Sequence, residues 1–98
     1  MNELRPETFL PLVNKVFRVK GGRHALTLSQ VDVRSMGEWE RAALGRQSFT
    51  LILAGPPGDV LPEGLHTLEA EDGRAFQLYV IPVQTHALNR QDYQVIFN

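Results

Sequence analysis

The 98-residue chain has no cysteine, no long uninterrupted hydrophobic run and no excess of positive charge. The missing cysteine excludes disulfide bonds, thiolate metal ligands and cysteine nucleophiles, and it agrees with a reducing cytoplasm as the setting. The apolar runs are short, as in "YVIPV", so we expect no transmembrane helix. The opening "MNELRPETF" starts acidic and lacks a continuous apolar stretch, so we also expect no signal peptide.

Charge is nearly balanced, with ten Lys and Arg against eleven Asp and Glu, for a net charge of −1. Nucleic-acid binding usually requires a basic excess or a clustered basic face, and no two Lys or Arg residues are adjacent here. We therefore expect neither a nucleic-acid nor a membrane partner. The 43% hydrophobic and 21% charged content is typical of a globular protein, and the length predicts one domain over residues 1–98.

Period-two alternation predicts about six strands and only one early helix. The segment "RPETFLPLVNKV" has apolar residues at helical spacing, but Pro11 limits the helix to one or two turns. The predicted strands lie in "VFRV", "LTLSQVDVRS", "SFTLILAG", "GLHTLEA", "AFQLYVIPVQ" and "YQVIFN". Loops such as "KGGRHA" and "EDGR" separate them at hairpin-like intervals. The sequence therefore predicts an all-β fold, a small antiparallel barrel or tightly curled sandwich with a short N-terminal helix.

The second strand predicts a β-bulge. Leu26 and Leu28 share one phase of the alternation. Val31 and Val33 share the opposite phase, so one straight strand cannot bury both pairs. An extra residue at Ser29–Gln30 restores the phase and bends the strand, as in small closed barrels. The predicted core contains Phe17, Val19, Leu28, Val31, Val33, Phe49, Leu51, Leu53, Leu78, Val80, Val95 and Phe97, together with Phe76 if its ring is buried.

Two features concern sheet edges. Pro82 lies late in a strand pattern, which predicts an edge position or a bulge there because proline has no N–H to donate. The last strand, "YQVIFN", alternates apolar residues without a charged residue after Asp92. Such a strand is a template for pairing with another chain unless it is covered. We expect it to be sealed within its own barrel.

The segment "SMGEWERAALG" interrupts the β pattern and predicts a short helix or helical turn across one end of the sheet. Ser35 and Glu38 have the spacing of a capping box, and Gly45 can end the helix. Trp39 is either buried beneath this turn or presented as an interface anchor, because Trp and Arg are enriched at binding hot spots. Trp39 and the nearby Arg41 are therefore the candidate interaction residues.

The loop "GPPGDVLPEG" follows a strand and contains glycines, but it does not fit a phosphate-binding loop. A Walker loop ends in Gly-Lys-Ser/Thr, whereas this one carries Asp59 and Glu63, which repel phosphate. Its two adjacent prolines also remove amide donors that a phosphate nest uses. We expect the loop to turn the chain and nothing more.

Other residue types offer no catalytic, cofactor or metal site. His24, His66 and His86 are scattered and form no H-x-H or H-E-x-x-H pair, so we expect no metal site. Carboxylates such as Glu69 and Glu71 have no partner placed across a cleft, and the serines lack a G-x-S-x-G context. We therefore expect no cofactor and no familiar catalytic activity.

The series "FTLILAGPPGDVLPEGLHTLEAEDGRAFQLYVIPV" followed by "YQVIFN" resembles a bacterial family of short standalone all-β domains of unknown function. The shared pattern is LP-x-G, F-x-L-Y-V-x-P-V and a C-terminal Y-x-V-x-F-N, and "TFLPLVNKVFRV" fits the family's start. This chain departs from the pattern in its more helical "SMGEWERAAL" and its acidic "EAEDGR". The resemblance implies no assigned activity, cofactor or catalytic residue. Genes for phage-tail-like or tail-collar-like proteins near some members imply an assembly or accessory role.

Two functions from different classes follow. The first is a non-catalytic protein-interaction or assembly module whose partner is a protein. The alternative is a barrel that binds a small molecule or a carbohydrate, with weak hydrolytic activity. A filled barrel with an exposed apolar patch favours the first function. A concave apolar pocket with convergent polar groups favours the second.

Overall fold

Six strands follow a short N-terminal helix in the structure, a computed structural model that describes residues 4–34, 37–39, 43 and 48–97. Helix α1 spans Pro6–Phe9 and continues as a 3₁₀ turn over Leu10–Leu12, so the helix is as short as Pro11 predicted. The strands are β1 (Val16–Val19), β2 (Ala25–Val33), β3 (Phe49–Gly55), β4 (Gly64–Ala70), β5 (Ala75–Val83) and β6 (Gln91–Phe97). In the part of the chain described, no helix is long and apolar enough to cross a membrane.

The strands form a closed antiparallel barrel in the order β1–β2–β3–β6–β5–β4. The barrel closes where β1 pairs with β4, with Phe17 opposite Ala70. The predicted all-β barrel is confirmed. Strand β6 lies between β3 and β5, within its own barrel as expected; it pairs with β3 along its whole length and with β5 over residues 92–94.

The predicted β-bulge is present in β2. The register against β3 shifts between Leu28 and Gln30, which leaves Ser29 as the extra residue. The Ser29 hydroxyl donates a hydrogen bond to the carbonyl oxygen of Ile52 at 3.0 Å. Because of the shift, both Leu28 and Val31 lie on the inner face of the same strand.

Pro82 occupies an edge position. Strand β5 pairs with β4 as far as Val80 and with β6 from Ile81 onward. The N–H of Ala70 donates to the carbonyl of Arg74 at 2.8 Å, so every second residue from Arg74 turns its backbone polar groups toward β4. Pro82 is one of these residues, beyond the end of the β4 ladder. Its missing N–H therefore costs no ladder hydrogen bond.

The helix closes one end of the barrel, called here the helical end. The ring of Phe9 is fully buried among three other rings. Its centroid lies 5.1 Å from that of Phe76, 5.8 Å from that of Phe97 and 6.1 Å from that of Phe49. These rings come from the start of β5, the end of β6 and the start of β3. One buried side chain of α1 thus joins three strands.

The connection between β3 and β4 closes the opposite end, called here the loop end. Leu61 in this connection is buried, and its N–H donates to the hydroxyl of the buried Tyr93 at 2.9 Å. The loop that was expected only to turn the chain therefore also contributes a side chain to the core.

Most of the predicted core is confirmed, and the exceptions lie at the rim. Val33 is 37% exposed, so its assignment to the core is wrong, because it is the last residue of β2 at the helical end. Val31 and Phe97 are half-buried and pack against the core. The buried members of the predicted set are Phe17, Val19, Leu28, Phe49, Leu51, Leu53, Phe76, Leu78, Val80 and Val95.

Candidate interaction surface

Trp39 lies in the connection between β2 and β3, where it and Glu38 are helical. Its side chain is 76% exposed, so of the two alternatives the structure has the exposed one. The N–H of Arg34 donates to the carbonyl of Ser48 at 3.0 Å, so the connection leaves and returns at the helical end. Arg41, the other candidate interaction residue, lies outside the described residues, as do the proposed capping residue Ser35 and Gly45.

Three more apolar side chains are exposed at the helical end. Leu10 follows the buried Phe9 and is half-exposed. Val33 ends β2, and the half-exposed Ile96 lies near the end of β6. Leu10, Val33, Trp39 and Ile96 are called here the helical-end surface. Among the described residues, four of the eight large apolar side chains that are exposed thus belong to segments at this end. Exposed apolar patches are typical of interaction sites.

A groove of about 280 Å³ lies at the same end, where β2, β3 and β6 meet. Its lining mixes polar Asp32, Arg34 and Ser48 with apolar Phe49 and Ile96. The groove and the helical-end surface share Ile96. An apolar side chain of a partner can therefore enter the groove while the rim supplies hydrogen-bonding groups.

The loop "GPPGDVLPEG" is held by ionic contacts to the β1–β2 hairpin. Arg23 binds Asp59 through two hydrogen bonds, with Nε 2.9 Å from Oδ2 and Nη2 3.0 Å from Oδ1. The hydrogen bond from Arg23 is the main cause that lowers the pKa of Asp59 below its ordinary value. Gly58 adopts a φ of +82°, which favours glycine. The acidic side chain thus anchors the loop.

The three histidines lie apart. His24 Nε2 is 3.1 Å from the carbonyl oxygen of Asp59, and His66 Nε2 is 2.8 Å from that of Pro62. His86 is exposed in the β5–β6 connection. Across the residues that the structure describes, no group of three side chains is placed to hold a metal ion.

Glu69 and Glu71 share a second groove, of about 390 Å³, with Arg18. Glu71 Oε1 also accepts a hydrogen bond from the N–H of Val16 at 3.4 Å, beside the seam between β1 and β4. The β1–β4 ladder ends at the pair Phe17 and Ala70, and beyond it the Glu71 carboxylate accepts the hydrogen bond in place of a backbone carbonyl. Its position is explained by the closure of the barrel.

The structure also pairs two residues that the sequence did not connect. The Tyr79 hydroxyl donates to the carboxylate of Glu63 at 2.8 Å, which raises the pKa of Tyr79. Tyr79 lies opposite Leu65 on the outer face of β4 and β5. The alternation of β5 correctly predicted that Tyr79 points outward. No local pattern links it to Glu63, which is 16 positions away.

One comparison with known proteins identifies a family. The family model described as Domain of unknown function (DUF6916) matches residues 4–97. The comparisons with curated proteins and with solved structures found no match. The match covers α1 and all six strands, in agreement with the resemblance inferred from the strand and loop motifs.

Proposed function

The chain belongs to the family described as Domain of unknown function (DUF6916), and we propose that it acts as a non-catalytic protein-interaction or assembly module. The observation that carries this proposal is the exposure of Trp39, 76% of whose surface is accessible at the helical end. Tryptophan is among the residues most enriched in binding hot spots. Its connection leaves and returns at the end of the barrel where Leu10, Val33 and Ile96 are exposed.

The free energy that burial of Trp39 in an interface would contribute supports this role. A tryptophan buries about 150–250 Å² of surface in an interface, and each Å² of apolar surface contributes roughly 25 cal/mol. Covering Trp39 therefore contributes about 4 kcal/mol before the costs of association. Covering Leu10 and Ile96, both half-exposed, adds to this. The helical-end surface can thus supply much of the free energy of a specific complex.

The interior of the barrel favours this function over the alternative. Inward-facing side chains of all six strands, together with Phe9 and Leu61, form one core. In the described part of the chain, the hydroxyl of Tyr93 is the one side-chain polar group of this core, and it is hydrogen-bonded to the N–H of Leu61. A small-molecule site uses a few convergent polar groups inside an apolar pocket. The alternative of a carbohydrate or small-molecule barrel rests instead on the groove at the helical end.

The setting of this role is also a proposal. We place it in the bacterial cytoplasm, with a protein as the partner. Some members of the family that the sequence resembles have genes for phage-tail-like proteins nearby. Phage-tail-like structures are therefore the assemblies in which we would look for the partner first.

The proposal is tested with a Trp39→Ala variant. The variant should keep its fold and lose partner binding or self-association, measured by a pull-down from the native host with mass spectrometry and by equilibrium sedimentation. Leu88→Ala is the matched control, because Leu88 is 96% exposed in the connection at the loop end. Unchanged association of Trp39→Ala, accompanied by a large loss of stability, contradicts the proposal and makes Trp39 part of the packing.

A further inference from the structure

The outer face of β4 and β5 carries exposed apolar side chains beside the polar Thr67 and Gln77, and it has no Lys or Arg of its own. Leu65 is 60% exposed and Tyr79 is 50% exposed, and the two lie directly opposite each other. Ile81 is the next outward residue of β5. Neither strand contains Lys or Arg, although lysine is a residue that commonly protects the exposed parts of sheets. Leu65, Tyr79 and Ile81 are called here the β4–β5 face.

An uncompensated negative charge stands beside this face. The Glu63 carboxylate accepts the hydrogen bond of the Tyr79 hydroxyl and forms no ion pair with a described residue. Three aspartates, by contrast, have arginine partners: Asp59 pairs with Arg23, Asp72 with Arg74 and Asp92 with Arg90. Glu63 thus differs from these aspartates in having its negative charge fixed next to an aromatic ring and apolar side chains.

We propose that the β4–β5 face and Glu63 form a second docking surface, for a partner protein that presents a lysine or arginine side chain among apolar ones. The cation pairs with the Glu63 carboxylate and lies against the Tyr79 ring, whose face attracts positive charge. The apolar neighbours of that cation cover Leu65 and Ile81. A second copy docked through the same face does not fit, because that face brings another carboxylate and no Lys or Arg.

The charge preference is tested by NMR titration of the full chain with two synthetic peptides. One alternates leucine with lysine, and the other alternates leucine with glutamate. The lysine peptide should shift the amide signals of Gly64–Thr67 and of Gln77–Tyr79, and the glutamate peptide should not. The indole N–H of Trp39, the only tryptophan, reports on the helical-end surface and should not move. The titration therefore tests the β4–β5 face independently of the helical-end surface.

Three variants locate the binding. Glu63→Gln keeps an acceptor for the Tyr79 hydroxyl but removes the charge, so the lysine peptide should bind up to about fivefold more weakly at low salt. Leu65→Ser should abolish the shifts. Leu88→Ser, which removes an exposed leucine elsewhere, should change nothing. The proposal is overturned if both peptides bind equally, if Glu63→Gln has no effect at low salt, or if Leu88→Ser weakens binding as much as Leu65→Ser.

Discussion

The N–H of Leu61 donates to the hydroxyl of Tyr93 at 2.9 Å, across 32 positions of the chain. Both residues are buried, so this bond satisfies two polar groups that have no access to water. It fixes the connection between β3 and β4 to the middle of β6. The Pro- and Gly-rich loop is thereby part of the packed barrel.

We expect Tyr93→Phe to lower the free energy of unfolding by about 1–2 kcal/mol, because the Leu61 N–H is left buried without an acceptor. Urea denaturation measures the change. Tyr79→Phe is the control: it also removes a tyrosine hydroxyl, but an exposed one, and should stay within about 0.5 kcal/mol. Equal effects of the two variants contradict a special role for the buried bond.

Phe76→Ala should lower the free energy of unfolding by about 3–5 kcal/mol. The ring is 7% exposed and lies 5.1 Å from the ring of Phe9 and 6.2 Å from that of Phe17, measured between centroids. Its truncation opens a cavity at the helical end. Gln77→Ala, on the opposite face of the same strand, serves as the control. A loss below about 1 kcal/mol for Phe76→Ala means that the inward phase of β5 is wrong.

Deletion of Thr27 should destabilise the barrel far more than deletion of Ser29. Side chains alternate with a period of two, so removal of the extra residue Ser29 leaves Leu28 and Val31 two positions apart and both inward. Removal of Thr27 instead puts Leu26 and Leu28 on opposite faces, so one buried leucine must turn outward. Thermal unfolding followed by circular dichroism compares the two. Similar melting temperatures are the outcome that disproves this role of the bulge.

The ion pair between Arg23 and Asp59 should give the protein an acid-sensitive component of stability. In the folded protein the pKa of Asp59 lies below its ordinary value of 3.8. The contribution of the ion pair to the free energy of unfolding is therefore present above about pH 4 and is lost as the pH falls through the lowered pKa. Asp59→Asn should therefore show a weaker dependence of the urea midpoint on pH between about pH 5 and pH 2. Glu7→Gln removes a carboxylate that forms no ion pair with a described residue, so it controls for general charge effects. Identical pH profiles of wild type and Asp59→Asn contradict the assignment.

Features with a local signal were predictable from the sequence. The bulge at Ser29 follows from the change of phase between Leu28 and Val31, and Pro11 limits the helix because its effect on the backbone is local. The edge position of Pro82 was predictable because the missing N–H of proline is also a local property. The exposure of Val33 was not predictable, because the phase indicates which side of the sheet a residue faces but not how close it lies to the rim.

The candidate surfaces were predictable only in part. The sequence singled out Trp39, but its exposure depends on the tertiary structure around it, which the alternation of apolar residues does not indicate. The contact between Glu63 and Tyr79, like that between Leu61 and Tyr93, depends on the register of strands that are distant in sequence. Such pairs become visible only when the strand order is known.

The position of β6 between β3 and β5 has a consequence for synthesis on the ribosome. Strand β6 is the last of the six to emerge, so the preceding five strands are exposed first as an incomplete sheet. During that interval β3 and β5 each present an unpaired edge, which can pair with a neighbouring nascent chain. A translation product that stops before Gln91 retains both open edges and should be handled by the cell as an aggregation-prone fragment.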